Sequence, residues 1–111
     1  MDLNIVALSG RLAAEPERRE FASGSRLLRL LVAVRHSAPH RRVDVLPVAY
    51  WDPPQALWDA DMEPGMWAWV SGSVQRRFWA GEEGRRSRLE LLAVTVQVRP
   101  TEEFTGQPIS S

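Results

Sequence analysis

The sequence predicts an all-β domain with one short helix: a five-stranded barrel whose helix lies between the third and fourth strands. Three observations carry that expectation. Apolar side chains gather in five runs of strand length, rich in β-branched and aromatic residues and parted by polar, Gly- and Pro-containing stretches. Only one stretch, opened by Asp52-Pro53-Pro54, carries helix punctuation. A chain of 111 residues with 44% apolar side chains and no cysteine must also close its core as one domain, without disulfides or thiolate-bound metal.

In chain order, Asn4 to Leu12 is the first strand, with Ile5, Val6, Ala7 and Leu8 ahead of Ser9-Gly10. A polar stretch, Ala13 to Ser25, separates it from the second, Leu27 to Val34, which stops at His36-Ser37-Ala38-Pro39-His40, a loop by composition. The third, Val43 to Trp51, sorts by period two into Leu46, Val48 and Tyr50 on one face and Val45, Pro47, Ala49 and Trp51 on the other. A core built on the first set turns Trp51 outward. Asp52 is placed to accept from the first helical amides, and Gln55 to Met62 follows as a helix burying Ala56, Leu57 and Ala60 until Glu63-Pro64-Gly65 ends it. Met66 to Phe78 alternates, with Ala68, Val70 and Val74 opposite Trp67, Trp69 and Ser71, and Gly72 marks a bend or bulge. Ala80 to Gly84 is a hairpin loop and Arg88 to Val98 the last strand. Residues 1–100 form the domain, and 101–111 a short tail expected to be disordered. This element order is that of the OB-fold, whose strand face and loops bind oligonucleotides or oligosaccharides.

Charge narrows the function. The 14 basic residues, all arginine, cancel the 14 acidic ones, so any polyanion binding must come from arrangement and not surplus. The zero is a sum over unlike surfaces. Arg76, Arg77, Arg85, Arg86 and Arg88 crowd the last hairpin, opposed only by Glu82 and Glu83 at its tip, while Asp52, Asp59, Asp61, Glu63, Glu102 and Glu103 lie on the helix segment and tail. No apolar run is long enough to span a membrane, and Met1-Asp2-Leu3-Asn4 lacks the basic-then-apolar order of a secretory signal, so a cytoplasmic protein without membrane association is expected. Enzymatic motifs are missing: no Ser-His-Asp context, no phosphate-cradling glycine loop, and His36 and His40 are interrupted by Pro39. Asp44, Asp52 and Glu90 have duller roles in loop solvation, helix capping and strand-edge charge. A non-enzyme with no metal and no cofactor is the expectation.

The spelling of the turns is more specific. Leu8-Ser9-Gly10-Arg11-Leu12-Ala13-Ala14-Glu15-Pro16-Glu17-Arg18-Arg19 leads to Ser23-Gly24 and Leu31-Val32-Ala33-Val34. Val48-Ala49-Tyr50-Trp51, Pro64-Gly65, Val70-Ser71-Gly72-Ser73-Val74, Arg76-Arg77-Phe78-Trp79 and Gly84 follow in order. From about Leu3 to Val98 this resembles the bacterial single-stranded DNA-binding proteins. The resemblance implies an OB-fold, sequence-independent binding of single-stranded DNA in replication, recombination or repair, and a homo-oligomer, tetramer ahead of dimer. It places Trp51 and Trp79 at base-stacking positions and Arg19 and Arg77 at basic ones.

The residues suit that task, since single strands need aromatic faces, worth ~1–3 kcal/mol per stacked base, and a positive groove for the backbone. Behind Arg19 and Arg77 stand Arg76 and Arg11, then Arg35, Arg41 and Arg42, the last two in the loop between the second and third strands. Trp67 and Trp69 share a strand face on which two exposed rings are costly, which fits a subunit interface better than a base. Trp58, on the helix, can cover the barrel end. Departures from the family pattern lower the expected affinity and salt dependence. Val45 stands where a stacking tryptophan is common, and Pro47, Pro53 and Glu63 replace frequent basic residues. The acidic, hydrophobic tail tip through which family members recruit repair enzymes is not seen, so such recruitment is not expected. The alternative is an OB-fold protein-interaction module with little DNA affinity left; RNA in place of DNA also stays open.

Overall fold

Six strands and one helical turn run in the order β1 (Val6–Leu12), β2 (Glu17–Glu20), β3 (Arg26–His36), β4 (Arg42–Trp51), α1 (Gln55–Trp58), β5 (Trp67–Gly81) and β6 (Gly84–Arg99), in a computed structural model that describes residues 1–82 and 84–101. Hydrogen bonding follows the order β1-β5-β6-β4-β3-β2, and β1 also pairs with β3. Five strands therefore close into a ring, and β2 lies outside it as an arm of β3. Every pairing is antiparallel except the short parallel join of β4 to β6 at Val48–Leu91 and Ala49–Leu92. The ring strands are the five that the apolar runs predict, and the helix lies between the third and fourth of them, as in an OB-fold.

Two glycines let the wall turn its corners. A Cβ on Gly10 would fall on the Ala33 carbonyl, where β1 swings from β5 towards β3, and a Cβ on Gly72 would fall on the Leu92 carbonyl. Such close backbone approach admits no other residue without movement. At Gly72 the register slips from Ser71–Thr95 to Gly72–Ala93, so the expected bulge is present and its extra residue is Val94 on β6. The Tyr50 hydroxyl donates to the freed Val94 carbonyl at 3.0 Å. Leu28, Val32, Val48 and Val70 fill the centre, with Leu46 and Tyr50 packed beside them, and the opposite phase of β4 leaves Trp51 45% exposed.

Three expectations are corrected. The polar stretch contains β2, whose four residues pair with Arg26 to Arg29 but are all exposed, so no apolar alternation betrays them. The helix spans four residues and has Pro54 at its N-cap without a side-chain bond. Asp52 is turned away at φ 48; its Oδ1 accepts from the Arg26 amide at 2.9 Å, tying the end of β4 to the start of β3. At the other end Arg18 takes the Trp58 and Ala60 carbonyls at 2.9 and 2.8 Å, and the chain dips to bury Met62. Ala56 is exposed, and Trp58 joins Leu57 and Ala60 against the core. Finally, the hairpin turn is tight. β5 continues to Gly81 and β6 begins at Gly84, because a hairpin wet on both faces shows no apolar period to mark its strands. Glu83 and the tail from 102 to 111 lie outside the described residues.

Gly10→Ala is expected to lower the unfolding free energy by about 3 kcal/mol through overpacking against backbone. The exposed neighbour substitution Ser9→Ala should move it by under about 0.5 kcal/mol. Urea unfolding midpoints measure both.

Candidate nucleic-acid interface

Beyond Gly72 β5 has left the β1 strand, keeping the Asn4 side chain on Val74, and before Leu91 β6 has not yet met β4. Among the described residues the strand pairings of 73–81 and 84–90 are therefore with each other, and the two project from the ring. Between this hairpin and the outer face of β2, β3 and β4 runs a groove of about 500 Å³, lined by Arg19, Phe21, Leu27, Arg29, Ala49, Trp51, Gln75, Arg76, Arg77, Phe78 and Glu90.

Register assembles its floor. Arg19 pairs with Leu27 and Leu27 with Trp51; one rung on, Glu17 pairs with Arg29 and Arg29 with Ala49. Directly opposed residues share a face, so Arg19, Leu27 and Trp51 stand in a row, with Arg29 and Ala49 beside them. Phe21 stacks on Trp51 with ring centroids 5.6 Å apart and planes at 29°. The turn after β2 holds Phe21 there, its amide donating to Ser25 at 2.9 Å and its carbonyl accepting from Gly24 at 2.8 Å. The Arg19 guanidinium lies 5.7 Å from the Phe21 ring centre.

The hairpin supplies the wall. Gln75–Glu90, Arg77–Arg88 and Trp79–Arg86 share one of its faces, and Arg76, Phe78, Arg85 and Ser87 the other. Glu90, expected as a strand-edge charge, is instead buried at 3% exposure; it accepts from Gln75 Nε2 at 3.1 Å and faces Arg29 Nη1 at 4.0 Å. Burial first, and then the positive charge of Arg77, hold Arg29 below the usual guanidinium range; Arg88 acts in the same direction, Glu90 and Glu17 in the other. Arginine stays cationic all the same. Around Arg29 the charges of Arg77 and Arg88 are thus opposed by the carboxylates of Glu90 and Glu17, and the surplus positive charge sits beside two stacked rings.

Of the residues singled out from sequence, Trp51, Arg19, Arg76 and Arg77 meet in this groove. Trp79 shares the face of Arg77 further out along the hairpin, 41% exposed, with the Arg88 guanidinium 5.8 Å from its ring. Arg11 and Arg35 line a different hollow with Val43 and Trp67, and Arg11 lies 4.7 Å over the Trp67 ring. Arg42 is engaged by Asp44 at 3.2 Å, which also faces His36 at 3.0 Å, and Arg41 is exposed in the loop. Phe21, Arg29, Gln75 and Glu90 are site residues that sequence reasoning missed. A signal existed for two of them: Arg29 and Glu90 are single charges inside apolar strand runs, and charges are seldom buried there unless paired. Phe21, in a stretch without periodicity, offered none. Among the described residues no cluster of His, Asp and Glu is arranged to hold a metal ion, and no helix is long and apolar enough to cross a membrane.

Glu90→Gln removes the buried counter-charge of Arg29, which Arg77 and Arg88 repel. The variant should unfold at lower urea than the parent in low salt, by about 1–3 kcal/mol, and added salt should recover part of the loss by screening the repulsion.

The sequence matches the family model described as the single-strand binding protein family over residues 3–99. Single-stranded DNA-binding protein 1 of Nostoc sp. and the single-stranded DNA-binding protein of Anabaena variabilis are each 29% identical to it over 83 residues, 75% of this chain and 70% of theirs. A solved Plasmodium falciparum SSB in complex with ssDNA shares the fold at a TM-score of 0.76 and 18% identity, covering 90% of this chain and 96% of that one. Because the family match takes in every strand of the ring and the hairpin that walls the groove, the chain belongs to the single-strand binding protein family.

Proposed function

We propose that this protein binds single-stranded DNA without sequence preference in the groove between the β5–β6 hairpin and the β2–β3–β4 face. One observation carries the reading: the Trp51–Phe21 ring pair and the residues Arg19, Arg29, Arg76 and Arg77 line one and the same groove. The Nostoc and Anabaena relatives are single-stranded DNA-binding proteins by name, and the solved Plasmodium structure is a complex with ssDNA. A base stacks on the open part of Trp51, whose ring Phe21 holds in place, and a second stacks on Trp79. Arg19, Arg76 and Arg77 take the intervening phosphates. Rings read no sequence, because every base has a π-face. Arg11, Arg35 and Arg41 reach only a strand that has already left the groove, and Arg42 is held by Asp44. Nothing in this scheme requires catalysis; the protein is a binding protein that acts on single strands exposed during replication, recombination or repair, in the cytoplasm at the nucleoid.

A second copy of the chain covers the other aromatic face. Trp69, 43% exposed, and Trp67 border a hollow of about 420 Å³ with Ser9, Gln97 and Arg99, on the β1–β5–β6 side and away from the groove. Rings of that size are expensive to leave wet, which supports a homo-oligomer, with a tetramer expected from light scattering.

Titration with oligo(dT) should quench tryptophan fluorescence, and added salt should reverse it. Trp51→Ala is expected to stay folded and to lose one stack, ~1–3 kcal/mol, which weakens binding roughly 5- to 150-fold. Trp79→Ala should lose a comparable amount. Arg77→Ala should flatten the dependence of log K on log salt by ~0.7. Absence of binding at low salt would leave the protein-interaction module as the better account.

A further inference from the structure

We infer that the outer edge of β5 is a main-chain reading edge: the backbone N–H and C=O groups of Arg76 and Phe78 hydrogen-bond the edges of the bases that lie in the groove. This rests on the proposed binding of single-stranded DNA there.

The orientation of those groups follows from Asn4. Its side-chain amide donates to the Val74 carbonyl at 2.7 Å and accepts from the Val74 amide at 2.9 Å, continuing the ladder of β1 by one further rung. Both polar groups of Val74 therefore point away from β6. In an antiparallel pair this direction repeats every second residue, so Arg76 and Phe78 present theirs on the same edge, while those of Gln75, Arg77 and Trp79 point to β6. The turn gives an independent check. Counting back from the Gly81–Gly84 pair that closes the two-residue connection, the hydrogen-bonded rungs are Trp79–Arg86, Arg77–Arg88 and Gln75–Glu90, and those between them are Ala80–Arg85, Phe78–Ser87 and Arg76–Leu89. Register is continuous from Ser73 to Gly81, so nothing shifts the phase.

Beyond Val74 no strand among the described residues pairs with this edge, and both residues line the groove beside Trp51. An unpaired strand edge invites another extended chain. A second copy of the same hairpin is disfavoured, because it would bring five arginines, Arg76, Arg77, Arg85, Arg86 and Arg88, against five. Phosphate alone is a poor match, since it only accepts, and the edge alternates donors with acceptors. Every unpaired base offers both a donor and an acceptor on its Watson–Crick edge. A main-chain edge can thus bond any of the four, so its contacts are compatible with sequence-neutral binding. Successive outward residues lie ~6.6 Å apart, comparable to one nucleotide of an extended strand.

Amide hydrogen exchange of the full chain tests this, alongside the fluorescence titration. In the free protein the Arg76 and Phe78 amides should exchange readily, and Arg77 and Trp79, bonded to β6, slowly. Saturating oligo(dT) should slow Arg76 and Phe78 by at least about tenfold, and an abasic deoxyribose-phosphate strand of equal length should not. If oligo(dT) quenches fluorescence but leaves these two amides unchanged, the reading edge is wrong and the groove stands. Equal protection by the abasic strand, or slow exchange already in the free protein, also overturns it. If no complex forms, both readings fall.

Discussion

The binding side of this molecule depends on the corner at Gly72. There the β5 backbone comes so close to the Leu92 carbonyl that a Cβ has no place, the register slips by the one residue Val94, and β5 parts from β1. Had β5 stayed paired on both sides it would have been ordinary barrel wall. Released, it carries its partner β6 outward as a two-stranded arm, leans over the β3–β4 face, and keeps one edge unpaired. Groove, arginine cluster and strand edge are consequences of that departure. The opposite corner at Gly10 lets β1 reach β3 and close the ring, which gives the arm a fixed base.

Electrostatics then decides which charges matter. A pair 4 Å apart attracts by ~4 kcal/mol at an effective dielectric constant of about 20, before desolvation is subtracted. An exposed pair such as Arg42–Asp44, open to solvent on both partners, retains ~0–1 kcal/mol of that. Arg29 and Glu90 are the exception on this surface, since the carboxylate is 3% exposed and shared with Gln75. Glu90 therefore works as an anchor: it holds Arg29 in a partly dry place beside Arg77 and Arg88, and with Glu17 it leaves the cluster net positive. The neutral total of the chain conceals this, because many of its acidic residues, Asp52, Asp59, Asp61, Glu63, Glu102 and Glu103, lie around the helix and beyond β6.

The ring was legible because burial on one face imposes period two, and Val48, Val70 and Val32 obey it. Trp51 could be turned outward by that rule alone. Legibility failed where both faces are wet: β2 and the distal hairpin carry charge on alternate and successive positions alike, so their strand character comes from pairing and not from pattern. It failed also for Asp52. Its spacing before Pro53 satisfies the rule for a helix cap, but the Arg26 amide, brought close only by the β3–β4 register, competes for the same oxygen. Phe21 shows the same limit, since its partner Trp51 is 30 positions away in sequence and adjacent only through β3.

The two aromatic faces have different chemical surroundings, and that difference argues for different occupants. Around Trp51 the neighbours are Arg19, Arg29 and Arg77 and the open edge of β5, a setting that favours a ligand carrying negative charge and unsatisfied donors and acceptors. Around Trp69 the neighbours are Ser9, Ala68 and Gln97, on a stretch of β5 paired on both sides, with Arg99 and, over Trp67, Arg11 for charge among the described residues. An aromatic surface with so little charge suits the second copy proposed to cover it. Trp67 and Trp69 precede the corner at Gly72 and the groove residues of β5 follow it, so the proposed association through the two tryptophans leaves the groove open. It also leaves the hollow of Arg11, Arg35 and Val43 at the border between them, where a strand running from one groove towards the next copy would pass.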